Sequence, residues 1–138
     1  MKALSLWQPY ATACVTGAKR YETRSWATDY RGLLAIHAAK KPVKSVLRLL
    51  PRRVVDLIVR VQPGRDVSRL PTGAVVGTVF VVDCHEITEK FIASLTPRER
   101  ALGDFTIGRY AWELDNAHEY ERPIPATGAQ GLWNWRGY

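Results

Sequence analysis

The residues most suited to chemistry stand in the segment GAKRYETRSW, residues 17–26. Lys19, Glu22 and Arg24 lie within six consecutive positions of it. A glutamate can act as a general base, and a lysine can stabilise an oxyanion or a phosphate. These residues therefore allow three interpretations: catalysis by Lys19 and Glu22, anion binding with Arg24 and Arg31 nearby, or a structural ion pair.

Aromatic and amide side chains flank this charged segment. Trp7 and Trp26 border it, and aromatic faces beside basic groups hold single-stranded nucleic acids by base stacking. Gln8 and Gln130 could read a base edge, because an amide both donates and accepts hydrogen bonds. The alternatives are ordinary ones: tryptophans that fill a core, and glutamines that bond to backbone.

The positive charge of the chain is concentrated in one segment. The formal net charge is +7, and between Lys40 and Arg69 nine basic residues stand against two acidic ones. Elsewhere eleven basic and eleven acidic residues balance. A localised basic surface predicts a polyanionic partner, nucleic acid above all, although a solvated helix face has the same composition. The expected phosphate contacts are Lys40, Lys41, Lys44, Arg48, Arg52 and Arg53.

Several classes of function find no support in the sequence. No CxxC, HxxxH or HExxH spacing occurs, so we predict no metal and no cofactor. The motifs of serine hydrolases and P-loop proteins are absent as well. No apolar run is long enough to span a bilayer, and residues 1–6 lack the pattern of a signal peptide. We therefore expect a cytoplasmic protein with reduced cysteines and no membrane contact.

Stretches of strand character alternate with short helical segments along the chain. The 138 residues suit a single domain, and the irregular spacing of the helices favours a mixed, curved sheet or small barrel over a doubly wound parallel sheet. The predicted strands are residues 2–7, 19–26, 30–39, 74–87 and 108–120, with a last strand after a turn-rich segment that begins at residue 123. Helices are predicted at residues 8–17, at 42–61 with a break at Pro51, and at 88–105 with a break at Pro97.

Several ordered motifs together resemble the ASCH domain, a member of the PUA-like superfamily. They are LWQP at residues 6–9, the G-x-K-x-x-E-x-R-x-W run at 17–26, and YRGLLAIHA, GAVVGTVFVVDC, YAWEL and GAQGLWNW further along. The resemblance covers nearly all of residues 1–138. It implies an α+β fold: a small mixed β-barrel of about six strands with peripheral α-helices. It also implies a cleft between the barrel and the first helix, lined by the G-x-K-x-x-E-x-R run and by Pro9 with its neighbours.

The resemblance implies binding of RNA or another nucleic acid, and some ASCH members are enzymes. One branch hydrolyses N4-acetylcytidine with a lysine, a threonine three residues later and a glutamate; other members are described as ribonucleases. In this chain Glu22 stands where that branch has its threonine, and Thr23 should point to the opposite side of the strand. The sequence therefore favours nucleic-acid binding, with RNA preferred over DNA, and leaves a hydrolase of RNA or of a modified nucleoside as the alternative.

Overall fold

The computed structural model describes residues 1–137, which form a six-stranded sheet curled into a half-barrel with five short α-helices outside it. The strands are β1 (Lys2–Leu6), β2 (Tyr21–Arg24), β3 (Gly32–Ala38), β4 (Ala74–Glu86), β5 (Tyr110–Pro125) and β6 (Trp133–Asn134). The helices are α1 (Tyr10–Val15), α2 (Val43–Leu47), α3 (Arg52–Arg60), α4 (Glu89–Ala93) and α5 (Pro97–Ala101).

The sheet is mixed, as the sequence predicts. Its strand order is β2-β5-β4-β3-β1-β6. The β1 and β3 strands pair in parallel, and every other neighbouring pair is antiparallel. The expectation of an α+β, PUA-like architecture is confirmed.

The valine-rich strand β4 bends at Gly77, where its register with β5 shifts. A Cβ atom at Gly77 would lie 2.2 Å from the carbonyl oxygen of His118 and 2.9 Å from the side chain of Val15. Only glycine therefore lets helix α1 and the β5 backbone approach β4 this closely. Gly77 is therefore the point at which α1 packs on the sheet.

Local signals set the ends of the helices. Pro51 separates α2 from α3, as expected from its missing amide proton. Thr96 and Glu99 form a reciprocal capping box at the start of α5. After α1, Gly17 takes a left-handed conformation with φ of 81°, and the chain turns towards β2.

Strand β5 is longer than predicted. The sequence suggested that it ends near Tyr120 and that a turn-rich segment begins at Pro123, but β5 continues to Pro125 because Ala74 and Val75 of β4 pair with its last residues. Strand β2 pairs only with the first part of β5, so the far part has an open edge. Prolines are tolerated at such an edge because no neighbouring strand needs their amide protons.

Two apolar clusters hold the helices in place. The main cluster lies between α1 and the sheet and includes the fully buried Trp112. A second cluster lies beneath α2 and α3 and fixes the basic segment; its members are Val43, Val54, Ile58, Val67, Leu70 and Leu102. Within residues 1–137, no helix has the length and apolar character needed to cross a membrane.

Candidate nucleic-acid site

Lys19 is a buried ammonium group at the base of a surface cavity. The chain turns after α1 so that the amide of Lys19 donates to the carbonyl of Ala13 at 2.9 Å. The side chain is 4% exposed, and its Nζ donates to Glu22 Oε1 at 2.9 Å and to the carbonyl of Tyr21. Burial lowers the pKa of Lys19, but the negative charge of Glu22 and further neighbouring groups outweigh it, so the pKa lies above its ordinary value. Lys19 is therefore protonated and acts as a donor, not as a base.

Glu22 is paired on both of its carboxylate oxygens. Its Oε1 accepts from Lys19, and its Oε2 lies 3.2 Å from Arg24 Nε. Arg24 also donates from Nη2 to the carbonyl of Ser5 at 3.1 Å, which ties β2 to β1. Two positive charges thus surround one negative charge, and this wall of the cavity carries net positive charge.

The cavity has a volume of about 640 Å³ and lies between the β2 wall and the α2–α3 junction. Its opposite side is apolar, with Leu50, Pro51 and Val54 from that junction and Leu102 from the end of α5. A second arginine, Arg109, lines it beside Asp104, with Arg109 Nε 3.5 Å from Asp104 Oδ2. The Nε groups of Arg24 and Arg109 are buried and face the carboxylates of Glu22 and Asp104 without a well-aligned hydrogen bond. Both guanidinium groups therefore belong to the charged lining of the cavity.

Trp7 stands at the rim of the cavity, where its side chain is 48% exposed. The Nζ atom of Lys41 lies 5.1 Å from the centre of the Trp7 ring, within the range of a cation–π contact. An exposed aromatic face and an ammonium group therefore meet at the entrance.

The structure brings four predicted ligand or catalytic residues together at the cavity: Trp7, Lys19, Glu22 and Arg24. Trp26 does not line it; its ring stacks edge-to-face on Trp112 at 4.8 Å. Pro9, Arg31 and Gln130, which were also predicted to contact a ligand, lie outside the cavity lining as well. Pro9 is buried ahead of α1, Arg31 bonds to the carbonyls of Thr28 and Tyr30, and Gln130 is exposed in the loop before β6.

Gln8 is placed behind the cavity, with no exposed surface. Its Nε2 donates to Thr12 Oγ1 at 2.8 Å and to the carbonyl of Pro71 at 3.0 Å, and its Oε1 accepts from the amide of Thr12 at 2.9 Å. These bonds occupy the amide in fixing the start of α1 against the loop before β4. Gln8 thus supports the site and has no free edge to offer a base.

The basic segment forms one exposed surface next to the cavity. All six predicted phosphate contacts are exposed, and within residues 1–137 none of them forms an ion pair. Lys41 reaches Trp7 at the rim, and the α2–α3 junction supplies Leu50 and Pro51 to the cavity wall. The surface formed by Lys40, Lys41, Lys44, Arg48, Arg52 and Arg53 is called the basic surface below.

Sequence patterns did not reveal Arg109 and Asp104. Arg109 Nη2 donates to the carbonyl of Thr23 at 3.3 Å, and the amide of Asp104 donates to Thr23 Oγ1 at the same distance. Both contacts join residues more than 80 positions apart, so no local spacing predicts them. They follow from the pairing of β2 with β5.

Two further titratable side chains, those of His37 and Cys14, have structural surroundings. His37 lies between the hydroxyl of Ser5, 3.0 Å from Nδ1, and the carbonyl of Ala126, 2.8 Å from Nε2. Cys14 is buried, and burial raises the pKa of its thiol to about 12. Neither residue is prepared for acid–base or nucleophilic chemistry.

We predict that substitutions of Lys19 and Glu22 have non-additive effects on the free energy of unfolding. Glu22→Gln should lower the free energy of unfolding by about 3 kcal/mol, because it leaves the Lys19 ammonium buried without its counter-ion. Lys19→Met should cost less, because Glu22 keeps Arg24. The double variant should be more stable than Glu22→Gln alone. Urea unfolding of all four proteins measures this cycle.

The exposed pair formed by Arg65 and Glu119 is the matched control for this cycle. Glu119→Gln should change stability by less than about 1 kcal/mol, as for other exposed pairs. Additive effects of Lys19→Met and Glu22→Gln would contradict the coupling.

A sequence model of the ASCH domain matches residues 4–124. Human activating signal cointegrator 1 is 41% identical over 136 residues, and its mouse counterpart is 40% identical over 135 residues. The alignment with each covers 94% of this chain, which spans about a fifth, 21%, of the length of these relatives.

Solved structures show the same fold. The ASCH protein of Zymomonas mobilis superposes with a TM-score of 0.61 at 19% identity, covering 98% of this chain and 87% of that one. A mutant form of the same protein gives a TM-score of 0.57 at 17% identity, with coverage of 98% and 89%. Since the family match spans most of the chain and the fold agrees with it, the chain belongs to the ASCH domain family.

Proposed function

We propose that the protein binds nucleic acid, with RNA favoured over DNA, and that the cavity beside β2 holds one nucleotide of the strand. The observation that carries this proposal is the meeting of three features: the positively charged cavity wall, the exposed Trp7 ring at the rim, and the exposed basic surface, from which Lys41 reaches that ring.

The charge of the cavity suits a phosphate or a base carbonyl. Three basic groups, Lys19, Arg24 and Arg109, face two acidic ones, Glu22 and Asp104. The guanidinium groups of Arg24 and Arg109 would donate hydrogen bonds to an incoming phosphate or carbonyl oxygen. A cavity of about 640 Å³ also has room for a nucleotide.

The rim of the cavity favours single-stranded nucleic acid over a closed duplex. Base stacking on an aromatic ring requires an unpaired base, and Trp7 offers such a face next to Lys41. The basic surface then continues along α2 and α3, where Lys44, Arg48 and Arg52 would follow the phosphates of the same strand.

A hydrolase acting on RNA or on a modified nucleoside is the second candidate, and the observation in its favour is that Lys19 and Glu22 both line the cavity. The protonation of Lys19 and the double pairing of Glu22 argue against it, because neither residue is then free to act as a general base.

Salt dependence tests the role of the basic surface. Binding of a 12-nucleotide single-stranded RNA should weaken steeply as the potassium chloride concentration rises. In the double variant Lys44→Ala/Arg48→Ala, the slope of log affinity against log salt concentration should become shallower by about 1.4, because two phosphate contacts are lost. Fluorescence anisotropy at several salt concentrations gives both slopes, and single-stranded and duplex DNA of the same length give the preference.

The matched control is Lys90→Ala/Arg122→Ala, which removes two exposed positive charges away from the basic surface. Its slope should stay close to that of the wild type. Affinity that is indifferent to salt, or equal slopes for the two double variants, would exclude the basic surface as the phosphate contact.

Stacking on Trp7 gives a separate prediction. Trp7→Ala should weaken RNA binding by about 1–3 kcal/mol, or roughly 5- to 150-fold, and Trp7→Phe should retain part of the affinity. Trp26→Ala should have a much smaller effect on binding, because its ring packs on Trp112 outside the cavity. RNA titrations at one fixed salt concentration measure the affinity of each variant, and thermal unfolding verifies its stability. Equal losses of affinity in Trp7→Ala and Trp26→Ala would refute stacking at Trp7.

A paired assay of RNA retention and hydrolysis separates the two candidate functions. We expect the wild type and Glu22→Gln to retain RNA, and neither to turn over RNA or N4-acetylcytidine, since Lys19 and Glu22 neutralise each other. Turnover by the wild type that disappears in Glu22→Gln and in Lys19→Ala, with RNA retention preserved, would replace the binding proposal with the hydrolase.

A further inference from the structure

We propose that Asp83, His85 and Glu113 form a binding site for a divalent transition-metal ion of the zinc type. This site is independent of the proposed nucleotide cavity. Asp83 and His85 are two residues apart on β4, so their side chains point to the same face of the sheet. Glu113 pairs with Asp83 across the β4–β5 ladder. Glu22 pairs with Trp112, so the neighbouring Glu113 points to the opposite face of the sheet.

The distances suit ligands of one ion. His85 Nε2 and Glu113 Oε1 share a hydrogen bond of 2.7 Å, His85 Nε2 lies 3.8 Å from Asp83 Oδ2, and the three ligand atoms all lie within 4.8 Å of one another. Ligands that each stand about 2.1 Å from an ion are separated by about 3.0–3.4 Å in octahedral or tetrahedral geometry. Side-chain shifts of less than about 1 Å would therefore convert the present arrangement into a coordination shell.

Neighbouring groups already orient these ligands. Asp83 Oδ1 accepts from the amide of Cys84 at 2.8 Å and lies 3.6 Å from Arg31, which leaves Oδ2 towards His85. The His85 ring packs against Phe91, with ring centres 5.2 Å apart, and meets the edge of Tyr21 at 6.3 Å. Ligands held by such outer contacts bind metal more tightly than mobile ones.

The net negative charge of Asp83, His85 and Glu113 also favours binding of a cation. Two carboxylates share a single imidazole, and within residues 1–137 only the Asp83 carboxylate of these two also forms an ion pair with an arginine. A divalent ion would neutralise both carboxylates at once. The imidazole favours zinc or a similar transition metal over magnesium and calcium, which prefer oxygen ligands. All three side chains are partly exposed, with 29–53% of their surface open, so an ion has access.

Sequence motifs gave no sign of this site, and we predicted no metal from them. The usual motifs place metal ligands close together in one segment, whereas here 28 positions separate His85 from Glu113. The ladder between β4 and β5 is what brings the three side chains together.

Isothermal titration of the full chain with zinc chloride, in a buffer that does not chelate metals, tests the proposal. The wild type should bind one equivalent, and His85→Ala and Glu113→Gln should each bind zinc at least about tenfold more weakly. Cobalt should give a visible absorption band that is lost in the same two variants, and magnesium should not compete. Circular dichroism verifies that each variant is folded.

Two controls identify the ligands. His118→Ala removes another exposed histidine, on β5, and Cys84→Ser removes the thiol next to His85. Both should bind zinc like the wild type. The proposal fails if the wild type shows no saturable zinc binding, if His85→Ala and Glu113→Gln bind as tightly as the wild type, or if the loss occurs in either control instead.

Discussion

The buried charge of Lys19 constrains the whole cavity wall. An ammonium ion that is almost fully removed from water needs a counter-ion and hydrogen-bond acceptors, or the folded state loses several kcal/mol. Glu22 and the carbonyl of Tyr21 supply them, and this fixes which face of β2 turns inward. Arg24, two residues further along the same strand, must then face the same side and reach Ser5 on β1. One buried ion pair thus sets the direction of three charged side chains and ties β1 to β2.

The opposite wall of the cavity depends on a different kind of interaction. Helices α2 and α3 rest on a small apolar cluster of their own, with Ile58 at 1% exposure, and contribute Leu50 and Val54 to the lining. Their basic residues stay exposed, while Val43, Val54 and Ile58 of the same helices are buried in that cluster. The same segment therefore provides a hydrophobic wall for the cavity and a charged surface beside it. A rigid polar wall opposite an apolar one suits a base, which has polar edges and an apolar face.

Local signals explain why much of the fold could be predicted from the sequence. Alternation identified the strands, Pro51 and Thr96 marked helix boundaries, and the spacing of Lys19, Glu22 and Arg24 put them at one site. Contacts between distant residues could not be predicted this way. Arg109 enters the cavity through the register of β2 with β5, which no single segment encodes. A buried amide such as that of Gln8 also looks like a ligand contact in the sequence, because its partners become apparent only in three dimensions.

Thr23 shows why the position of one residue decides between binding and catalysis. The resemblance to the ASCH domain implies that its amidohydrolase branch has a threonine three residues after the lysine, where this chain has Glu22. Thr23 is next to that position, but it is 92% buried and its hydroxyl accepts a hydrogen bond from the amide of Asp104. Its backbone carbonyl also holds Arg109. Thr23 therefore anchors both Arg109 and Asp104, and moving its hydroxyl to attack a substrate would break the hydrogen bond from the amide of Asp104. The same strand cannot keep Glu22 paired with Lys19 and also present a threonine nucleophile at that position.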